Sequence, residues 1–116
     1  MKNLDHLRNS YMSKSLPQRL NDLASNLKQI SDSARDTAMS ETLPSIMREC
    51  EYMINWTAAE TQIDFAAELV DMLRFISLWR HAWADAQKNQ SLRTMLYPQA
   101  KKWSDQVLDY SGLLNQ

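Results

Sequence analysis

The side chains of this chain best placed to do chemistry are four carboxylates. Glu60, Asp64, Glu68 and Asp71 recur at intervals of three and four, a spacing that puts them along one side of a helix. Hard cations such as Mg²⁺ take carboxylate oxygens, so Glu68 and Asp71, one turn apart, form the candidate metal site. The plainer reading is a solvated flank, which is what most charged helix faces are, and it is the reading expected here. Other chemistry finds less to work with. There is no Glu-x-x-His pair of the kind a di-iron bundle needs. His6 and His81 are the only histidines, and neither has a second His or Cys at ligand spacing. His81 sits one turn from Asp85, an ordinary solvated pair. Cys50, the single cysteine, cannot close an internal disulfide; it falls on an apolar stripe with no base beside it, so a buried, inert thiol is expected. No catalytic residue, metal or cofactor is therefore assigned.

Composition narrows the class. One glycine, Gly112, in 116 residues is too few for the tight turns of a sheet protein or for a phosphate-cradling loop, which leaves an all-α fold. Thirteen basic against fourteen acidic side chains give a net charge of -1, without the basic excess or stripe of a nucleic-acid binding module. No run approaches the roughly 18 apolar residues of a membrane span, and the first residues lack the apolar run of a signal peptide. The expected setting is cytoplasmic, with no nucleic acid and no membrane as partner.

The elements that must position these side chains read as four helices, roughly 16–38, 43–57, 62–87 and 92–113, in one domain. A short helical segment, carrying Leu4, Leu7, Tyr11 and Met12, precedes them. Ser15-Leu16-Pro17-Gln18 is a strong start, with a capping box and a proline in the first turn. Leu16, Leu20, Leu23, Leu27, Ile30 and Ala34 then form a narrow seam backed by polar residues including Arg19, so this helix is expected to be peripheral. Thr42 or Ser40 caps the next, with Pro44 in its first turn. A break near residue 60 is expected because Thr57-Ala58-Ala59-Glu60 and Thr61-Gln62-Ile63-Asp64 both resemble capping boxes. The following helix is the expected spine, with Phe65, Leu69, Met72, Leu73, Ile76, Trp79 and Trp83 on one face, widened by Phe75, Ala82 and Ala86. Pro98 should kink the last helix or separate a short leading turn from it. Short connections favour an up-down antiparallel four-helix bundle.

Some residues do not fit the stripes. Arg80 falls within the apolar face of the spine, where it is either a solvated head on a buried stem or a paired, buried charge. Tyr52 and Trp56 share the back of the second helix with Arg48, and Leu78 stands among Asp71, Arg74, His81 and Asp85. Tyr, Trp and Arg are enriched at protein–protein hot spots, so Arg48, Tyr52, Trp56 and Leu78 are the candidate interaction surface. The alternative is that the aromatics pack beneath the N-terminal residues.

Two resemblances bear on function. Ala67-Glu68-Leu69-Val70-Asp71-Met72-Leu73 resembles the Glu-x-x-Asp helix of MazG-type all-α nucleotide pyrophosphohydrolases, and implies Mg²⁺-dependent cleavage of nucleoside triphosphates through Glu68 and Asp71. That family carries a Glu-x-x-Glu on the preceding helix, whereas this chain has Glu49-Cys50-Glu51, only two apart. Across most of the chain, Ser15-Leu16-Pro17-Gln18-Arg19-Leu20, Arg48-Glu49-Cys50, Ile54-Asn55-Trp56, Leu78-Trp79-Arg80-His81-Ala82-Trp83 and Ser111-Gly112-Leu113-Leu114 resemble a group of small uncharacterised helical proteins of cyanobacteria. That resemblance implies a bacterial cytosolic setting and no particular chemistry. The sequence thus reads as a non-catalytic helical module for protein interaction or self-association, with the Mg²⁺-dependent pyrophosphohydrolase as the alternative.

Overall fold

The computed structural model describes residues 2–36, 38 and 41–114. Among them all regular structure is helical: α1 (Lys2–Met12), α2 (Leu16–Arg35), α3 (Leu43–Thr57), a 3₁₀ turn (Ala58–Glu60), α4 (Ile63–Ala86) and α5 (Gln90–Leu114). The chain is all-α, as its glycine content requires. The first long helix stops at Arg35, short of the expected 38, because Asp36 turns to extended backbone, and the alternative cap Ser40 lies outside the described residues.

The start of α2 forms as read. The Gln18 backbone N–H donates to Ser15 Oγ at 3.4 Å and the Ser15 N–H donates to Gln18 Oε1 at 3.2 Å. The standing of α2 does not. Expected at the periphery, it packs along the length of α5 and against α3, and Arg19 of its supposed polar back is buried with the leucine seam, as are Ser31 and Ser33. The reason is in the small residues. Ser31 donates to the Tyr97 carbonyl at 2.7 Å, Ser104 to the Ala24 carbonyl at 2.8 Å, and Ser111 to the Pro17 carbonyl at 3.2 Å. Each step of seven residues up α2 is answered by seven residues back along α5, so the two helices run antiparallel in heptad register. Ala24, Ala34 and Ala100 leave room between the backbones, and each serine satisfies its hydroxyl on the facing carbonyl. A helical wheel counts serine as solvent-facing; here it is an interhelical clamp.

The expected spine, α4, buries Phe65, Leu69, Met72, Ile76, Trp83 and Ala86. It packs mainly on α3 and only lightly on α5. Leu73 and Trp79 are half-buried, while Phe75 and Ala82 are exposed, so the apolar face is wider than the core it serves. The break before α4 occurs where expected, but not by the expected caps. Thr57 turns its hydroxyl into the core, and Thr61 Oγ1 donates to the Ala58 carbonyl at 2.7 Å. The N-cap is Gln62, whose backbone N–H donates to the Tyr110 hydroxyl at 3.1 Å. Helix α5 runs through Pro98 without a separate leading turn. Its start is capped by Asn89, whose Oδ1 accepts from the Leu92 N–H at 3.2 Å.

Candidate interaction face

Where α4 leans away from α5, aromatic contacts bridge the gap at intervals. Phe65 stacks on Tyr110 with ring centres 3.9 Å apart, Phe75 lies 6.5 Å from Trp103, and Trp79 Nε1 donates to Gln99 Oε1 at 3.1 Å. Between these contacts lies a groove of about 710 Å³, its floor apolar with Met72, Phe75 and Trp103 and its rim polar with Glu68, Asp71 and Lys102. Beyond it, Phe75, Leu78, Trp79 and Ala82 line a shallow apolar depression of about 250 Å³. Phe75 is 47% exposed, Leu78 66% and Met95 61%. Leu78, read from sequence as alone among charges, is the middle of an apolar strip.

The other sequence-predicted residues divide. Arg48, Tyr52 and Trp56 do come together. The Arg48 guanidinium lies 4.5 Å from the Tyr52 ring centre, its Nε donates to the Tyr52 hydroxyl at 3.0 Å, and Tyr52 stacks on Trp56 at 5.7 Å. α1 covers part of this group: Tyr11 packs on Trp56 at 5.9 Å and Trp56 rests half-buried against the core, while Arg48 stays exposed and lines, with Tyr52, Leu4 and Leu7, an open cleft of about 510 Å³ between α1 and α3. Tyr11 donates its hydroxyl to the Arg19 carbonyl and meets the Thr57 hydroxyl, both at 3.0 Å, and burial pushes its phenol up to about 12.

Arg80 is a paired charge. Its Nε and Nη2 both donate to Glu51, a carboxylate buried on α3, which also accepts from Arg48 Nη1 at 3.3 Å. Sequence reading missed Glu51 as the partner, although a signal was there. Glu51 lies on the stripe of Met47 and Ile54 as Arg80 lies on that of Ile76 and Trp83, and two opposite charges on the apolar stripes of successive helices can neutralise each other. A second missed pair ties the N-terminal region to the break: Arg19 grips Glu60 through two bonds of 2.6 and 2.8 Å and donates from Nε to the Lys14 carbonyl. This bidentate contact holds the Glu60 carboxyl below its usual range.

The acidic ridge is thereby shortened. Glu60 is committed to Arg19, Asp64 sits in the first turn of α4 where a helix favours negative charge, and Glu68 and Asp71 are exposed on the groove rim. Asp71 Oδ1 is 4.0 Å from Arg74 Nη1. Among the described residues, no group of three or more His, Cys, Asp or Glu is gathered closely enough to hold a metal ion. His81 Nδ1 meets its own helix's Ser77 carbonyl at 2.7 Å. Cys50 is fully buried, and burial pushes its thiol far above the ordinary range. No described helix is long and apolar enough to cross a membrane. Comparison with protein-family models, with curated proteins and with solved structures gives no match for this chain.

Proposed function

We propose that this chain is a non-catalytic helical interaction module, built on an up-down bundle, that self-associates through the outer face of α4 and the adjoining groove. The observation that carries the reading is the exposure of Phe75 beside Leu78 on α4 and beside Met95 across the groove, on a helix pair whose own packing is sparse. Trp56, half-buried beneath Tyr11, gives it no support. The charges beside the strip favour a second copy set antiparallel along α4: Arg74 would face the other copy's Asp85, whereas a parallel copy would align like with like. A bacterial cytosolic setting, which the cyanobacterial resemblance implies, is part of the same proposal. The test is light scattering of the native protein against Leu78→Asp. Mass that rises with concentration, and is held at 13.5 kDa by that single exposed substitution, supports the reading. Native mass fixed at 13.5 kDa removes it.

A second reading has one observation in its favour, since Glu68 and Asp71 line the same groove as Lys102 and could face a Mg²⁺-bound nucleotide there. Pyrophosphate released from a nucleoside triphosphate panel with Mg²⁺, and lost in Asp71→Ala, would put the pyrophosphohydrolase in place of the interface. No release from any member of the panel removes that reading.

A further inference from the structure

Where α2 ends and α5 begins, three cationic side chains surround one pocket. Arg35 from the last turn of α2, Lys88 from the α4–α5 connection and Arg93 from the first turn of α5 line a concavity of about 570 Å³ with Gln87, Gln90 and Tyr97. No acidic side chain lines it, and it shares no residue with the α4–α5 groove. Two of the three cations are held in place. The Arg35 guanidinium carbon lies 5.1 Å from the Tyr97 ring centre. Arg93 donates from Nε to the Ala34 carbonyl at 3.1 Å, anchoring its planar head while its Nη groups make no hydrogen bond to the described residues. Elsewhere in the molecule Lys14, Arg19, Arg48, Arg74, Arg80 and Lys101 each have an acidic partner. Among the described residues Arg35, Lys88 and Arg93 have none; Arg8, Lys28 and Lys102 also have none, but only here do three such cations line one pocket. The nearest carboxylate after Arg35 in sequence, Asp36, accepts instead from the Ala38 backbone N–H at 2.9 Å.

We infer that this pocket binds a di- or polyphosphate group, either free or carried by a small organic molecule. Guanidinium forks fixed by stacking and by a backbone bond lose little freedom on meeting an oxyanion, and they match phosphate oxygens in pairs. A phosphoryl group carries about −1.5 to −2 charges at neutral pH, so two of them offset the three cations where a single one does not. The Gln90 amide adds a donor at the wall. The volume lies within the range of about 300–1,000 Å³ usual for small-molecule sites.

The test is a titration of the full chain with sodium pyrophosphate at low salt, followed by amide NMR. Saturable shifts centred on residues 34–36 and 87–97, with half-saturation below about 1 mM, are expected. Lys88→Gln and Arg35→Gln remove exposed side chains that leave the fold intact, and each weakens the titration roughly tenfold. Added NaCl weakens it further. Adenosine triphosphate in a parallel titration separates the sources: tighter binding with enlarged shifts at Tyr97 means an organic phosphate, and equal binding means the inorganic ion. The inference is overturned by absent shifts at about 1 mM pyrophosphate, by shifts centred on Lys101 and Lys102, or by affinity unchanged in the double variant Arg35→Gln, Lys88→Gln.

Discussion

Arg80 and Glu51 set the terms at the residue scale, because neither charge is tolerable on its own stripe without the other. Arg80→Leu strands the Glu51 carboxylate with only Arg48 at 3.3 Å, and is expected to cost about 1–3 kcal/mol in urea unfolding. Replacing both residues by leucine removes the stranded charge and should recover most of that loss, which a double-mutant cycle reads directly. A native stability unchanged in Arg80→Leu would mean that the pair contributes nothing. Tyr11 makes the second residue-scale prediction. Its phenol titrates near 10 when unfolded and about 12 in the fold, because burial disfavours the phenolate. A pKa raised on folding contributes stability that is complete below pH 10 and disappears as pH climbs toward 12. Chemical unfolding between pH 9 and 12 should therefore lose stability faster in the native chain than in Tyr11→Phe; parallel curves would contradict the assignment.

At the element scale the sequence was legible where apolar spacing is strong. The seam of α2, the stripe of α3 and the inward face of α4 lie where periodicity places them, and the break near residue 60 falls where expected though not by the caps that suggested it. What it could not rank was which helix sits at the centre. A wheel measures how apolar a face is, and by that measure α4 exceeds α2. Packing depends also on how closely two backbones approach, which Ala24, Ala34, Ala100 and the clamping serines decide without adding hydrophobicity. Arg19, Glu60 and Glu51 escaped for a related reason: a charge is assigned to solvent until its partner is known, and each partner here comes from another element. The serine clamps lead to a prediction that α4-centred packing does not make. Ser104→Leu, which forces extra volume between α2 and α5, should cost about 1–3 kcal/mol or more, whereas Ser104→Ala forfeits one hydrogen bond at about 0.5–1.5 kcal/mol. Thermal or urea melts of the two variants should fall in that order, and equal losses would mean that the helices are not in close contact at Ser104.

For the whole molecule, the closest packing is on the α2–α5 side, while an apolar strip on α4, with Phe75 and Leu78, is left uncovered among charged residues. That asymmetry leads from structure to function: α4 is apolar enough to be enclosed on two sides and is enclosed on one. The candidate site was legible only in part. Leu78 stands out by its charged neighbours, but Phe75 reads as core and Met95 has no role in the helical pattern, and the meeting of Phe75 with Met95 across the groove depends on how α4 tilts against α5. Of Arg48, Tyr52 and Trp56, Trp56 is taken by Tyr11 of α1 while Arg48 stays exposed. Sedimentation equilibrium of the native protein over a wide concentration range tests the central claim most directly. Self-association through the α4 face predicts a mass rising from 13.5 kDa toward twice that value as concentration increases, and a constant 13.5 kDa throughout would contradict it.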